Sequence, residues 1–226
     1  MTNRTSSILI SGLLAAGLFT VPVLADDDHG HDGDIYIQIL DGQLVTGDFD
    51  DGLFEGLRVF EAEFEDFNFT DEPGFDSPTG AFSSDSAIGF NILSAVRRWD
   101  GTAFSTIATE RIEVSYLGRP DILSPTDDTF TPGFDIDVNP LGEWHRHLGF
   151  TLQSPAGSGV YLLELELYST DSTVGNSLPF WMVFDLDAPD GAHDAATLWV
   201  QQNLVPTPGA LAAFGAAGLV ALRRRR

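Results

Sequence analysis

The feature that most constrains the fold is a series of short segments with the two-residue periodicity of β-strands. In GVYLLELELYS (residues 159–169), the odd positions from Tyr161 to Leu167 are apolar, whereas Glu164 and Glu166 fall at even positions. Alternate residues of a strand lie on opposite faces, so one face of this segment can pack on a core. Comparable segments are IYIQIL (35–40), LRVFEAEFEDFNF (57–69), AIGFNIL (87–93), RIEVSYL (111–117), FDIDV (134–138), WHRHLGFTL (144–152) and PFWMVFDLD (179–187).

Gly, Pro, Asp and Ser separate these segments, as is typical of turns between strands. The pattern predicts an all-β fold, a single antiparallel sandwich or jelly-roll-like domain. One short C-terminal helix is expected over HDAATLWVQQNL (193–204), with Asp194 as its cap and Pro206 ending it.

Both ends of the chain have the layout of targeting segments. Residues 1–25 combine Arg4, the apolar run ILISGLLAAGLF and the small residue Ala25, which predicts a signal peptide cut after Ala25. The alternative, a membrane-spanning helix, is disfavoured because the run is short and ends at Pro22.

Residues 205–226 carry a Pro-bracketed turn, an apolar stretch from Ala210 to Leu222 and four terminal arginines. This segment resembles the PEP-type C-terminal sorting signals of bacterial envelope proteins, with Pro206-Thr207-Pro208 in place of Pro-Glu-Pro. The resemblance implies a transmembrane segment that an envelope sorting transpeptidase removes; a permanent short tail anchor is the alternative. The expected organisation is thus 1–25, signal peptide; 26–204, one β-domain; and 205–226, sorting or anchor segment.

The charge of the predicted domain excludes some partners. Residues 26–204 hold six of the eleven arginines and all 34 acidic residues, for a formal charge of −28. Such a domain repels nucleic acid and anionic membranes and attracts cations, although adaptation to salt alone can also produce this acidity. The chain has no cysteine, so a transition-metal site must use His, Asp and Glu.

Four of the five histidines form two His-x-His pairs, His29/His31 and His145/His147. In WHRHLGFTL the even positions are mostly apolar and should face the core, which leaves His145 and His147 together on the other side, near solvent. Their Cα atoms are expected about 6.6 Å apart, a spacing from which two imidazoles can hold one ion. If this segment forms a hairpin with residues 159–169, Glu164 or Glu166 comes beside the histidines, and the predicted metal ligand is Glu166.

Two imidazoles and a carboxylate suit zinc. His29 and His31 lie in an acidic N-terminal segment that can complete the site, and His193 is the remaining candidate ligand. Calcium is the rival ion: Asp185, Asp187 and Asp190 can form a hard-cation site, although Asx turns explain these residues equally well. None of the Asp-rich turns matches the EF-hand loop.

Three stretches resemble a family of bacterial envelope proteins that carry a PEP-type sorting signal and are repressed by the zinc-uptake regulator. They are HGHDGDIYI (29–37), WHRHLGF (144–150) and HDAATLWVQQNLVPTPG (193–209). The resemblance implies synthesis under zinc shortage and a role in zinc acquisition or storage at the envelope. By position it maps ligands onto His29, His31, His145, His147 and His193.

The sequence therefore predicts an exported, non-enzymatic zinc-binding protein at the cell surface, in the outer envelope or secreted after processing. The alternative is a structural or carbohydrate-binding surface module with calcium-stabilised Asp-rich turns. A zinc hydrolase is the third hypothesis, and it requires three protein ligands, a bound water and a nearby carboxylate base.

Overall fold

Short β-strands are the main secondary structure of the described residues. The computed structural model describes residues 33–50 and 52–206, so the predicted signal peptide, His29, His31 and nearly all of the C-terminal segment lie outside the described residues. The elements, in chain order, are β1 (Ile35–Leu40), β2 (Gln43–Asp50), β3 (Leu53–Gly56), β4 (Val59–Glu63), a 3₁₀ turn (Asp66–Asn68), β5 (Phe69–Thr70), β6 (Phe75–Asp76), β7 (Ala87–Ile92), β8 (Arg97–Arg98), β9 (Thr106–Ile107), β10 (Ile112–Ser115), β11 (Ile122–Leu123), β12 (Thr131–Asp137), β13 (Gly149–Leu152), β14 (Gly159–Ser169), β15 (Phe180–Leu186) and α1 (Ala192–Asn203).

The strands form three sheets that are mostly antiparallel. One sheet has the order β3-β2-β1-β6 and a second has β11-β10-β13-β5. The largest sheet has the order β12-β7-β14-β15-β4, with β8 and β9 attached beside β14. The pairs β1–β6 and β15–β4 are parallel. The predicted all-β, sandwich-like fold with one short helix is confirmed.

Residues of all three sheets form the main hydrophobic core. Ile35 and Ile37 enter it from the first sheet, Phe150 from the second and Leu163 and Phe184 from the third. These side chains are at most 1 % exposed, which is the burial that their alternation predicts. The apolar odd face of β14 is confirmed as a core face.

The helix α1 covers the part of the even face of β14 that holds Val160 and Leu162. A second apolar cluster there joins Leu162, Trp181 and Val183 of the large sheet to Ala196 and Val200 of the helix. The helix begins one residue earlier than expected, and its N-cap is Gly191 at φ 73° with no side-chain cap. The expectation that Asp194 caps the helix is wrong, because Asp194 already lies in its first turn. No helix within the described ranges is long and apolar enough to cross a membrane.

Candidate metal centre

Three backbone segments meet side by side at one edge of the first sheet. The segment at Gly74 and Phe75 is central: Gly74 O accepts a 2.9 Å hydrogen bond from Ile35 N at the start of β1. On its other side, Phe75 and Arg146 exchange two backbone hydrogen bonds of 2.9 Å each. The residue before β1, Asp34, and the residues flanking Arg146 are therefore held next to each other by main-chain pairing.

The orientation of His145 and His147 follows from the burial of their neighbours. Trp144 and Leu148 are buried in the main core. Trp144 is further fixed because its indole Nε1 donates to Ile136 O at 3.0 Å and its backbone N donates to Ser77 Oγ at 2.7 Å. In extended backbone the two histidines must then point the other way, and their side chains are 33 % and 30 % exposed. The predicted common, partly solvated side is confirmed.

The two imidazoles and the Asp34 carboxylate converge on one point. His145 Nε2 lies 3.1 Å from His147 Nε2, and Asp34 Oδ2 lies 3.5 Å from the former and 3.8 Å from the latter. A circle through three atoms at these separations has a radius of about 2.0 Å, which matches zinc–nitrogen and zinc–oxygen bond lengths of about 2.0–2.2 Å. Within residues 33–50 and 52–206, these three residues form a group that can hold a metal ion.

The Asp34 carboxylate is the least solvated member of the group. Its side chain is 3 % exposed. Oδ1 accepts a 3.0 Å hydrogen bond from Gly74 N, whereas Oδ2 has no hydrogen-bond partner among the described groups. A buried carboxylate oxygen without a donor is costly, and a cation at the convergence point would satisfy it.

Neighbouring acceptors orient both imidazole rings. His147 Nδ1 lies 3.1 Å from Asp71 O, and because a carbonyl oxygen only accepts, Nδ1 carries the proton and Nε2 keeps its lone pair. Glu72 Oε1 lies 3.4 Å from the same Nδ1. On the other ring, His145 Nδ1 faces Asp76 Oδ1 at 4.0 Å. Burial raises the pKa of the Asp76 carboxyl, while the Ser77 N–H and His145 act to lower it.

Gly74 leaves room for the group. A Cβ at this position would lie 2.7 Å from His147 Cε1, 2.8 Å from His147 Nε2 and 2.9 Å from Asp34 Oδ1. These distances are shorter than any normal contact, so a side chain at residue 74 would displace the ligand atoms. The space that the two ligands occupy thus depends on glycine.

A strongly acidic pocket of about 460 Å³ lies next to the centre. Its lining includes Gly33, directly before Asp34, and Glu72, which contacts His147. Five carboxylates line it: those of Glu61, Glu63, Glu65, Glu72 and Asp194. Their combined negative potential raises the local concentration of cations beside the three ligands.

His193 lines this acidic pocket rather than the convergence point. Its Nε2 lies 2.9 Å from Val183 O and donates to that carbonyl, which ties the ring to β15. The structure does not bring His193 into the three-residue group. His29 and His31 lie outside the described residues, and their participation stays a prediction.

The expected hairpin between the histidine segment and residues 159–169 is wrong. β13, which follows His147, pairs with β10 and β5, whereas β14 pairs with β15, β7 and β8. Glu166 therefore lies in the large sheet, where its Oε1 accepts hydrogen bonds from Asn91 Nδ2 at 2.9 Å and Asn176 Nδ2 at 3.1 Å. Glu164 accepts from Ser94 Oγ at 3.0 Å. The carboxylate next to the histidines is Asp34 instead.

A local hydrogen bond from the backbone to an aspartate side chain holds the Asp-rich turn proposed for calcium. Asp185 Oδ1 accepts a 2.8 Å hydrogen bond from Ala188 N, three residues later. Asp187 has φ 46°, as expected for a turn residue. Among the described residues, Asp185, Asp187 and Asp190 do not form a group with converging ligand atoms.

Asp34 and Gly74 are the two residues of the centre that the sequence pattern did not single out. Asp34 is the last acidic residue before the predicted strand at 35–40, so its backbone position was foreseeable. Its pairing with the histidine segment runs through β6, a strand of only two residues whose sequence has no β-sheet periodicity to read.

No protein-family profile matches the chain, and neither does any curated protein sequence.

Proposed function

We propose that this protein is an exported, envelope-associated zinc-binding protein that acts in zinc acquisition or storage. The observation that carries the metal-binding step is the convergence of His145 Nε2, His147 Nε2 and Asp34 Oδ2 around one point, where the buried Asp34 Oδ2 has no donor among residues 33–50 and 52–206. A donor set of two imidazole nitrogens and one carboxylate oxygen favours zinc over calcium, which prefers six to eight oxygen ligands.

Zinc is favoured over other divalent ions by geometry rather than by intrinsic affinity. Copper and nickel bind nitrogen ligands as strongly or more strongly, but they prefer square-planar or tetragonal arrangements. Three ligand atoms separated by 3.1–3.8 Å instead fit one face of a tetrahedron, in which ligand atoms are about 3.4 Å apart.

Three protein ligands leave the fourth position of a tetrahedral site for water or a further side chain. His31 is three residues before Asp34, and a chain of that length reaches at most about 11 Å. A ligand from the His29/His31 pair is therefore compatible with the length of the chain. A site with three fixed ligands and an exchangeable fourth suits a protein that takes up zinc and later releases it.

Export and envelope attachment rest on the sequence of the two chain ends. The signal-peptide pattern of residues 1–25 and the apolar, arginine-ended segment 205–226 support delivery across a membrane followed by sorting. Cell fractionation with mass analysis of the mature chain tests this step. A mature protein that still begins at Met1, or that stays in the cytoplasm, contradicts it.

Metal analysis of the chain purified without a histidine tag, followed by calorimetric zinc titration, tests the binding step. We expect one zinc per chain, and loss of binding in His145→Ala and His147→Ala. His193→Ala is the matched control, because His193 bonds to Val183 O outside the group. Binding that is lost in His193→Ala but retained in His147→Ala would overturn the proposed centre.

The same ligand set is compatible with zinc-dependent hydrolysis, because three protein ligands leave a position for water and the carboxylates of Asp76 and Glu72 lie close to the imidazoles. We propose binding rather than catalysis. Generic ester and phosphate substrates, tested with the zinc-loaded protein, separate the two functions: turnover that disappears in His147→Ala would identify a hydrolase.

A further inference from the structure

A second pocket, remote from the histidines, lies on the outer face of the large sheet. Its volume is about 410 Å³, within the range of about 300–1,000 Å³ that is usual for small-molecule sites. β14 and β15 supply its base, where Glu164 and Trp181 are directly opposite each other across the two strands. The end of α1 contributes Trp199 and Leu204. We call it the tryptophan pocket.

The apolar part of the tryptophan pocket is aromatic and rigidly held. Trp181 is 6 % exposed and packs in the second apolar cluster, and the Arg58 guanidinium lies 5.1 Å from the centre of its ring. Phe104 and the half-buried Trp199 have ring centroids 6.0 Å apart at an interplanar angle of 63°. Trp181 and Phe104 are buried, whereas Trp199 is only half-buried, so Trp199 is the ring that offers a flat apolar surface to the pocket.

Four hydrogen-bonding side chains complete the lining, and they are already ordered by contacts with each other. Glu164 Oε2 accepts a 3.0 Å hydrogen bond from Ser94 Oγ. Arg97 forms a short ion pair with Asp128 and also donates to Ser105 O at 3.5 Å. The polar groups thus hold fixed positions beside the aromatic rings, as sites that orient a ligand require.

From this composition we infer that the tryptophan pocket binds a neutral saccharide. A sugar ring has an apolar face of C–H groups, which packs on an aromatic ring, and a rim of hydroxyls, which hydrogen-bond to carboxylate, guanidinium and hydroxyl groups. Arg97 pairs with Asp128, and Arg58, which lies over Trp181, attracts the Glu164 carboxylate, so the charges at the pocket are paired. The formal charge of −28 on residues 26–204 repels an anionic ligand, and a purely apolar ligand would make no use of the polar groups in the lining.

Calorimetric titration of the full chain with a fixed set of ligands tests this inference. The saccharide arm is cellohexaose, xylohexaose, laminarihexaose and chitohexaose; oligogalacturonate is the anionic arm and choline chloride the cationic arm. We expect at least one neutral hexasaccharide to bind with a Kd between about 1 µM and 1 mM, and Trp199→Ala to weaken it at least about tenfold. Trp199→Phe should restore part of the affinity, because it keeps a ring for stacking.

Leu198→Ala is the matched control, since Leu198 is the neighbouring residue of the same helix and is 52 % exposed outside the pocket lining. The saccharide affinity of Leu198→Ala should equal that of the wild type. Removal of metal with EDTA should leave saccharide binding by the wild type unchanged. The inference is overturned if none of the four saccharides binds at about 10 mM, if choline or oligogalacturonate binds instead, or if Trp199→Ala binds as tightly as the wild type.

Discussion

His145 Nε2 and His147 Nε2 lie 3.1 Å apart, close enough that one ring donates a hydrogen bond to the other. Coordination of one ion through both Nε2 atoms requires each ring to carry its proton on Nδ1, which faces Asp71 O in His147 and Asp76 Oδ1 in His145. The two-residue spacing therefore places two Nε2 atoms side by side, with an acceptor next to each Nδ1.

Asp34→Asn should change metal affinity and metal-free stability in opposite directions. The amide oxygen can still accept from Gly74 N, but the buried charge at Oδ2 is lost. We expect zinc affinity to fall by at least about 100-fold, while the free energy of unfolding without metal stays equal or rises. Calorimetry and urea unfolding in EDTA measure the two quantities. Asp48→Asn, an exposed control, should alter neither; equal zinc affinity in Asp34→Asn would contradict the centre.

Gly74→Ala should abolish zinc binding through steric displacement. The new Cβ would approach His147 Nε2 to 2.8 Å and Asp34 Oδ1 to 2.9 Å. Gly56→Ala is the matched control, because a Cβ there has its nearest neighbour, Phe54, at 3.9 Å. Zinc titration of the two variants, together with near-ultraviolet circular dichroism to confirm folding, gives the comparison. Wild-type zinc affinity in Gly74→Ala would show that the ligand atoms do not converge as described.

Zinc should stabilise the folded protein. A ligand that binds only the native state at 100 times its Kd adds about 2.7 kcal/mol to the free energy of unfolding. For a domain of this size the increase corresponds to a rise in Tm of roughly 5–10 °C. Differential scanning calorimetry with zinc or EDTA measures the shift. It should be absent in His147→Ala, and a shift of equal size in that variant would place the ion elsewhere.

Glu166→Ala should destabilise the large sheet without affecting zinc. Glu166 accepts hydrogen bonds from Asn91 and Asn176, so its removal leaves the amide of the buried Asn91 without that acceptor. We expect a loss of about 1–2 kcal/mol in the free energy of unfolding and an unchanged zinc Kd. Chemical denaturation and calorimetry test both parts. A large loss of zinc affinity would support the hairpin expected from the sequence against the observed sheet order.

Asp100 should make the free energy of unfolding depend on pH in the acidic range. Its carboxylate accepts hydrogen bonds from Thr102 N, Thr102 Oγ1, Ala103 N and Ser105 Oγ, which hold the pKa of Asp100 well below its usual range. A lowered native pKa contributes stability above the unfolded pKa, and this contribution is lost as the pH falls through the native pKa. Asp100→Ala should therefore be less stable than the wild type at pH 7. The difference in the free energy of unfolding between the wild type and Asp100→Ala should narrow below about pH 4. A difference that does not change with pH would exclude a contribution from protonation of Asp100.

Local periodicity determined which residues are buried and which face they occupy. The strand at Ile35–Leu40, the core face of β14 and the common side of His145 and His147 all follow from alternation, because side-chain direction in a strand depends only on position parity. The absence of cysteine likewise restricted a transition-metal site to His, Asp and Glu. These properties need no knowledge of distant parts of the chain.

Only the tertiary structure decided which strands are neighbours, and so which carboxylate joins the histidines. The alternation of side chains allowed a hairpin that would bring Glu166 next to the histidines. In the structure, β13 pairs with β10 and β5 instead, and the two-residue strand β6 links Asp34 to the histidine segment. Strand order is set by the joint packing of all three sheets around one core, an energy that no single segment contains. The sequence could therefore predict two ligands on one face, whereas the third depended on a pairing between segments far apart in the chain.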